Sequence, residues 1–272
     1  MPLFWLRFAL ILYGVGLVYA MVSLWGAREA LSRIALPLAG LGVTFHFVAL
    51  VENAMLSRTW APSSMHELES LLSFLLMVFF FAIYARYKAT APGLAVFPLV
   101  VLMTASAAFT GNASEPPLPL FVSVQWIYIH VALIFIGYSA VLFNFVASIL
   151  YLVEERALKT KTVSGLWTRL PALATIDEIG YKSLVWGFPF MTLGLIAGSV
   201  LAEARFGSRY FLDPKIVLSI LMWAVYTVLL YTRWSAGWRG RRAAFLATFA
   251  FVAAIVAWAA NSFSQMHRFI AP

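Results

Sequence analysis

Long apolar stretches separated by short polar gaps dominate this chain of 272 residues. A continuous apolar stretch of about 18 residues or more is typical of a transmembrane helix, whereas membrane β-barrels show apolar and polar residues in strict alternation. The pattern therefore predicts an all-α, polytopic membrane protein whose single transmembrane domain, residues 1–272, is an eight-helix bundle. We predict spans at about 4–25, 35–56, 68–85, 93–110, 121–153, 181–203, 216–232 and 243–264.

Local motifs predict where two of these helices begin. Thr175-Ile176-Asp177-Glu178 has the spacing of a capping box and predicts the opening of the sixth helix. Asp213 followed by Pro214 predicts an N-cap with proline at the first helical position of the seventh helix. The fifth apolar stretch is longer than a bilayer requires, so we expect one end of its helix to extend beyond the membrane.

The composition agrees with a membrane protein and indicates its orientation. Only 11% of the residues are charged, against about 25% in soluble domains. The net charge of +8 does not indicate a nucleic-acid partner here, because 13 of the 19 Lys and Arg residues lie in the first, third, fifth and seventh gaps. The positive-inside rule then predicts that these gaps are cytoplasmic and that both termini are outside. We expect the protein to lie in a bacterial-type cytoplasmic (inner) membrane, with lipid around its helices.

The chain offers little catalytic chemistry. It contains no cysteine, so disulfide and thiolate–metal scaffolds are excluded. No nucleophile constellation, phosphate-binding loop or acid pair is recognisable, so we expect a protein that is not an enzyme.

The four histidines are the residues most suited to binding a cofactor. His130 lies in the outer part of the fifth span, and His267 follows the outer end of the eighth. Neutral imidazoles from two helices can ligate a haem iron from both faces. Spacing alone leaves open that each is an interfacial residue with one hydrogen bond. We interpret His46 as a buried polar group bonded to the third or eighth helix, and His66 as an interfacial or capping residue.

The loop between the sixth and seventh spans carries residues that a haem at the outer face would need. Phe206, Tyr210, Phe211 and Leu212 offer an apolar cover for the ring. Arg209 and Arg205 in the same loop, or Arg58 or Arg268 elsewhere, are candidate partners for the propionates. Asp213 closes the loop, and its predicted N-cap role requires no ligand.

Three motifs in order give the chain a family resemblance. They are Trp126-Ile127-Tyr128-Ile129-His130-Val131, the loop from Phe206 to Ile216 with its Asp213-Pro214-Lys215, and Gly237-Trp238-Arg239-Gly240-Arg241-Arg242. Together they resemble the CcsA/ResC-type cytochrome c assembly proteins, and within that superfamily the HemX-like branch. The resemblance implies a non-covalent, b-type haem with His130 and His267 as the iron ligands. It also implies that Phe206, Tyr210, Arg209 and Asp213 belong to the haem site.

The chain departs from the family pattern at the positions that contact haem. Three tryptophans of the family loop are replaced by Phe206, Tyr210 and Leu212, and the family's intramembrane histidine is replaced by Tyr231. Phenylalanine and tyrosine keep a flat aromatic face, but leucine does not stack. We therefore expect the outer haem site to survive and the intramembrane haem site to be absent.

Three functions remain open from the sequence. The first is a haem-handling protein of cytochrome c biogenesis that binds haem in an outer-face cleft and holds or delivers it. Its partners would be haem and other cytochrome c assembly or haem biosynthesis proteins. The second is a HemX-like regulatory or scaffolding protein that influences haem biosynthesis without binding haem. The third is a transporter, for which His46, Glu52, Asn53 and Asn144 supply intramembrane polar groups without the paired broken helices typical of that class.

Overall fold

The computed structural model describes residues 2–25, 30–57, 60, 62, 64–110, 124–161, 170–260 and 264. Within these residues the chain forms eight α-helices and one short 3-10 helix, Gly207–Leu212. Six of the helices are long and apolar enough to cross a membrane. The helices are α1 Pro2–Trp25, α2 Ala30–Ser57, α3 Met65–Tyr87, α4 Gly93–Thr110, α5 Val124–Lys159, α6 Leu173–Phe206, α7 Pro214–Trp234 and α8 Arg241–Ala259.

The helices fall into two compact units. The first unit contains α1 to α4, and the second contains α5 to α8 with the 3-10 helix. In the first, α1 packs against α2 and α4, and α3 packs against α4. In the second, α5 packs along α6 and against α8, and α7 packs against α8. Our interpretation of the whole chain as one transmembrane domain stays a prediction.

A buried hydrogen-bond network lies inside the first unit. His46 of α2 has no exposed surface, and its Nε2 lies 2.9 Å from Oγ of Ser70 on α3. The hydroxyl of Tyr13 on α1 lies 3.4 Å from the other ring nitrogen. The predicted polar bond between His46 and the third helix is confirmed. Buried polar groups require such partners, because an unpaired one costs about 1–3 kcal/mol.

Glycines allow the two longest helices of the second unit to approach closely. A Cβ at Gly187 of α6 would overlap Ala140 of α5, and a Cβ at Gly137 of α5 would lie 2.9 Å from Met191 Cβ. Small residues let membrane helices pack backbone to backbone, where dispersion contacts replace the hydrophobic effect as the source of stability. The close approach brings the backbone of α6 within reach of side chains on α5.

The predicted helix starts have different outcomes. The N-cap at Asp213 is confirmed, because its side chain accepts a hydrogen bond from the amide of Lys215 and Pro214 begins α7. The capping box at 175–178 is wrong. The sixth helix begins earlier, at Leu173, after Ala172, which makes no side-chain cap. Asp177 lies inside the helix and binds groups from other parts of the second unit. The expected extra length of the fifth helix is confirmed by the 36 residues of α5.

Candidate functional site

His130 makes the central contact of the candidate site. It is a half-buried residue of α5, and its Nδ1 lies 2.7 Å from the carbonyl oxygen of Gly194 on α6. A carbonyl oxygen only accepts, so Nδ1 carries the proton and donates it. The lone pair of a neutral imidazole is then on Nε2. No group in the described part of the chain is hydrogen-bonded to Nε2, so this nitrogen is available to a ligand.

The neighbouring turn of α6 leaves room for the ring. A Cβ at Gly198 would lie 2.5 Å from Cε1 and 2.7 Å from Nδ1 of His130. Only glycine fits this position with the ring where it is. Gly194 and Gly198 are four residues apart and therefore share one face of α6. One glycine supplies the carbonyl that holds the imidazole, and the other supplies the space beside it.

An indole lies on the same side of α5 as the imidazole. Trp126 precedes His130 by four residues, which places both on one helical face, and 56% of Trp126 is exposed. Trp126 belongs to the first of the three family motifs and was not predicted as a site residue. Its i, i+4 spacing to His130 is a signal that could have identified it. It adds an exposed aromatic surface next to the candidate ligand.

The 3-10 helix that follows α6 exposes apolar side chains. Tyr210 is buried, and its ring lies 4.0 Å, centroid to centroid, from that of Phe211. Phe211 is exposed and so is 83% of Leu212. Arg209 is also exposed. The side chain of Phe206 lies outside the described part of the structure. Tyr210 thus packs inside the protein and supports Phe211, which is the aromatic ring of this segment that an incoming ligand can reach.

Asp213 joins three segments of the second unit. Its Oδ1 accepts from the amide of Lys215 at 2.9 Å, and its Oδ2 accepts from Oγ of Ser264 at 2.9 Å. The residue is buried, so these two bonds satisfy a carboxylate removed from water. Asp213 thus holds the start of α7 and Ser264 together.

The second predicted ligand, His267, lies outside the described residues. His66 of the first unit is half-buried, and its Nδ1 lies 3.8 Å from Oε2 of Glu69. The N-cap of that helix is Ser64, whose Oγ accepts from the amide of Glu67. The capping function that we considered for His66 therefore belongs to Ser64.

A polar cluster that the sequence analysis missed lies at the other end of the second unit. Arg233 of α7 donates to both carboxylate oxygens of Asp177, at 2.7 and 3.0 Å, and its guanidinium lies 4.9 Å from the centre of the Tyr181 ring. The amide of Gly240 donates to the same carboxylate at 3.2 Å. The sequence placed Asp177 only inside the predicted capping box, and its partners lie 56 and 63 positions away. No short-range signal identifies such a pair.

A small cleft borders this cluster. Its volume is about 10 Å³, roughly that of one water molecule, and its lining includes Asn144, Asp177 and Arg233. Oδ1 of Asn144 is buried without a hydrogen-bond partner among the described residues. The cleft is far too small for a porphyrin, so it is not a second haem site.

Tyr231, which stands where the family has an intramembrane histidine, lies on the exposed side of α7. Tyr231 on α7 is 63% exposed. Two residues of the same helix, Met222 and Tyr226, are in contrast fully buried in the core.

Comparisons with known proteins match this chain over most of its length. The family model "Cytochrome C assembly protein" matches residues 60–267. The matched region includes the whole of α3 to α8, together with His130, His267 and the loop between α6 and α7.

Two curated relatives illustrate the similarity. The cytochrome c biogenesis protein CcsA of Heterosigma akashiwo is 29% identical over 223 residues, which is 70% of this chain and 69% of the relative. The protein of the same name from Prochlorococcus marinus strain MIT 9303 is 28% identical over 280 residues, which is 92% of this chain and 86% of the relative. The similarity therefore extends well beyond a single motif, to more than two thirds of this chain and of each relative.

Proposed function

The chain belongs to the cytochrome c assembly protein family, and from this premise we propose that it binds haem at the outer membrane face for cytochrome c biogenesis. The protein is a multi-pass membrane protein. In this proposal haem is the cargo. The protein holds it in an oriented state and passes it to an acceptor, and no bond of the porphyrin is made or broken by the protein's own residues.

The observation that carries the proposal is the imidazole of His130. Its proton is held on Nδ1 by the carbonyl of Gly194, so Nε2 presents a lone pair toward a ligand. Histidines that bind metals through one ring nitrogen usually donate the other N–H to a carbonyl or carboxylate. The residue present therefore fits the requirement of an axial ligand to haem iron.

His267 is proposed as the second axial ligand. It follows Ser264 by three residues, and Ser264 is tied to Asp213 at the start of α7. Three residues of chain reach at most about 11 Å. This tether keeps Ser264 at the start of α7, which follows the 3-10 helix after α6, and α6 carries the Gly194 carbonyl that holds His130.

The remaining contacts are assigned by chemistry. Phe206, Phe211 and Leu212 form the apolar cover over the ring, with Tyr210 behind Phe211 as its support. Trp126 offers a second aromatic face beside His130. Arg209 is the proposed partner of a propionate, since guanidinium pairs well with carboxylate. Asp213 acts through the protein by fixing α7 and Ser264, and it does not contact the haem in this proposal.

The orientation follows from the charges. We propose that all eight helices cross a cytoplasmic-type (inner) membrane, with both termini outside. The loop between α7 and α8 carries Arg239, Arg241 and Arg242 and would be inside. The loop between α6 and α7 would be outside, where an assembly system for exported cytochromes needs haem.

A second candidate function has one observation in its favour. The lost loop tryptophans and the exposed Tyr231 remove groups that family members use, which favours a HemX-like scaffold without haem. Under that function His130 is only a structural link between α5 and α6. The two functions differ in a single measurable property, the presence of an iron–imidazole bond.

Absorption spectroscopy of the detergent-purified protein tests the proposal. The protein from haem-sufficient cells should show the sharp reduced α and β bands of a six-coordinate, bis-imidazole haem. The His130→Ala variant should lose them, while His66→Ala, which removes an imidazole from the other unit, should keep them. Purification without haem, together with no uptake on titration with hemin, would favour the scaffold function.

A further inference from the structure

The imidazole of His130 is held from two directions by one face of α6. We propose that Gly194 and Gly198 are positioning residues of this ligand. The Gly194 carbonyl fixes the tautomer of the imidazole. Gly198 leaves space for the ring in the orientation that directs Nε2 to the iron. This inference rests on the proposed haem function and adds to it the residues that determine ligand geometry. It concerns residues that touch the ligand side chain and not the haem.

The tautomer argument starts from the hydrogen bond. In a neutral imidazole either nitrogen can carry the proton, and only the other has a lone pair for a metal. The distance of 2.7 Å from Nδ1 to the Gly194 oxygen is that of a strong N–H···O bond. With the proton fixed on Nδ1, the ring approaches haem already in the ligating form. The opposite tautomer would place an N–H against the iron and leave Nδ1 facing a carbonyl that cannot donate.

The space argument concerns Gly198. A methyl group there would meet Cε1 and Nδ1 at 2.5 and 2.7 Å, well inside van der Waals contact. His130 lies where α5 and α6 pack closely, so the ring cannot give way without rotating about its side-chain bonds. Rotation would lengthen the bond to Gly194 and turn Nε2 away from its direction in the structure.

The chain offers matched controls for this effect. A methyl at Gly187, two turns or more along the same helix, would overlap Ala140 and disturb the packing of α5 on α6 without touching an imidazole. A methyl at Gly14 of α1 would meet nothing within 4 Å. A methyl at Gly194 would lie 2.9 Å from the side chain of Ile134 and 3.0 Å from its backbone nitrogen, so this substitution too would disturb the packing of α5 on α6. These positions separate loss of packing from loss of ring position.

Haem titration of four variants tests the role of Gly198. Gly198→Ala should weaken hemin binding about 10-fold to 100-fold, the range found when an outer-shell partner of a metal ligand is lost. Its spectrum should shift toward a five-coordinate or mixed-spin form. Gly194→Ala should lose thermal stability because it crowds the backbone of Ile134, and Gly14→Ala should match the wild type. Gly187→Ala should lose thermal stability while the haem that it binds keeps the six-coordinate spectrum.

Nitrogen NMR of the haem-free protein tests the tautomer without using haem binding. Protein labelled with ¹⁵N-histidine contains four imidazoles, and the His130→Ala variant assigns the signal of interest. We expect a protonated Nδ1 and an unprotonated Nε2 for His130 in the wild type. In Gly198→Ala the two nitrogens should shift toward a mixture of tautomers. This measurement applies also if Gly198→Ala binds no haem or is poorly folded, because the wild type alone can contradict the inference.

The outcomes distinguish the inference from the function on which it rests. If the wild type binds haem through His130 but Gly198→Ala binds and absorbs like Gly14→Ala, the positioning role is overturned and the function stands. A wild-type His130 with its proton on Nε2 would also overturn the role. If the wild type binds no haem, or His130→Ala keeps the spectrum, the proposed function fails and the positioning role fails with it, even with a protonated Nδ1.

Discussion

Ser264 donates a hydrogen bond of 2.9 Å to Oδ2 of Asp213 and so ties the chain beyond α8 to the first turn of α7. Oδ1 of the same carboxylate caps α7 through the amide of Lys215. One buried side chain therefore fixes a helix start and the segment three residues before His267. A ligand three residues from such a tether has fewer conformations to lose when haem binds.

Removal of the Asp213 side chain should lower both stability and haem affinity. Asp213→Ala loses the cap and the bond to Ser264, and we expect a loss of about 2 kcal/mol in the free energy of unfolding. Ser264→Ala loses only the second bond, at about 1 kcal/mol. Denaturant unfolding in a fixed detergent measures both, and hemin titration should show weaker binding for each variant.

Asp213→Asn serves as the control for this pair. Asparagine caps helices about as well as aspartate, so the α7 cap should survive. The variant should be more stable than Asp213→Ala. Equal stability of the alanine and asparagine variants would show that the cap does not contribute and would contradict this role of Asp213.

The ion pair between Asp177 and Arg233 should respond differently to single and double substitution. The Arg233 side chain is only 8% exposed, so Asp177→Ala leaves a nearly buried guanidinium without its carboxylate. We expect a loss of about 3 kcal/mol, because an unpaired buried charge is costly. The double variant Asp177→Leu with Arg233→Met should recover most of this loss. If the double variant is as unstable as Asp177→Ala, the ion pair itself stabilises the protein, and the cost of an unpaired guanidinium is not the cause of the loss.

The helices were predictable from the sequence to a large extent, and the polar contacts between them were not. Each predicted span corresponds to a helix, because continuous apolar stretches of this length have few other stable structures. The contact of Gly194 with His130 was not predictable, because a backbone carbonyl leaves no mark in the residue pattern. The capping box was wrong because the spacing of Thr175 and Glu178 suits a cap, and Asp177 between them was not recognised because its partners come from distant positions.

The Ser70 hydroxyl should matter for the stability of the first unit and not for haem. Ser70→Ala leaves Nε2 of His46, which has no exposed surface, without its partner at 2.9 Å. We expect a loss of about 1 kcal/mol, in the range of buried polar bonds in membrane proteins. Thr44→Ala, at an exposed position of the same helix, should change stability by less than about 0.5 kcal/mol. Any loss of haem bands in Ser70→Ala would contradict the assignment of the site to the second unit.

The chain suits cysteine labelling of its topology, since it contains no cysteine of its own. Arg209 and Arg239 are both exposed and lie in successive loops. In right-side-out membrane vesicles a membrane-impermeant maleimide should label Arg209→Cys and spare Arg239→Cys. Inverted vesicles should give the reverse pattern. Labelling of both positions from the same side would refute the alternating topology, and exchange of the two patterns would reverse the proposed orientation.

The structure of the haem-loaded protein, determined by electron cryomicroscopy, tests the central claim most directly. The account predicts iron bonded to Nε2 of His130 at about 2 Å, as in other metal–imidazole bonds, with His267 on the opposite face and Nδ1 of His130 still donating to the Gly194 carbonyl. Haem density elsewhere in the protein, or iron held by residues other than His130, would contradict it.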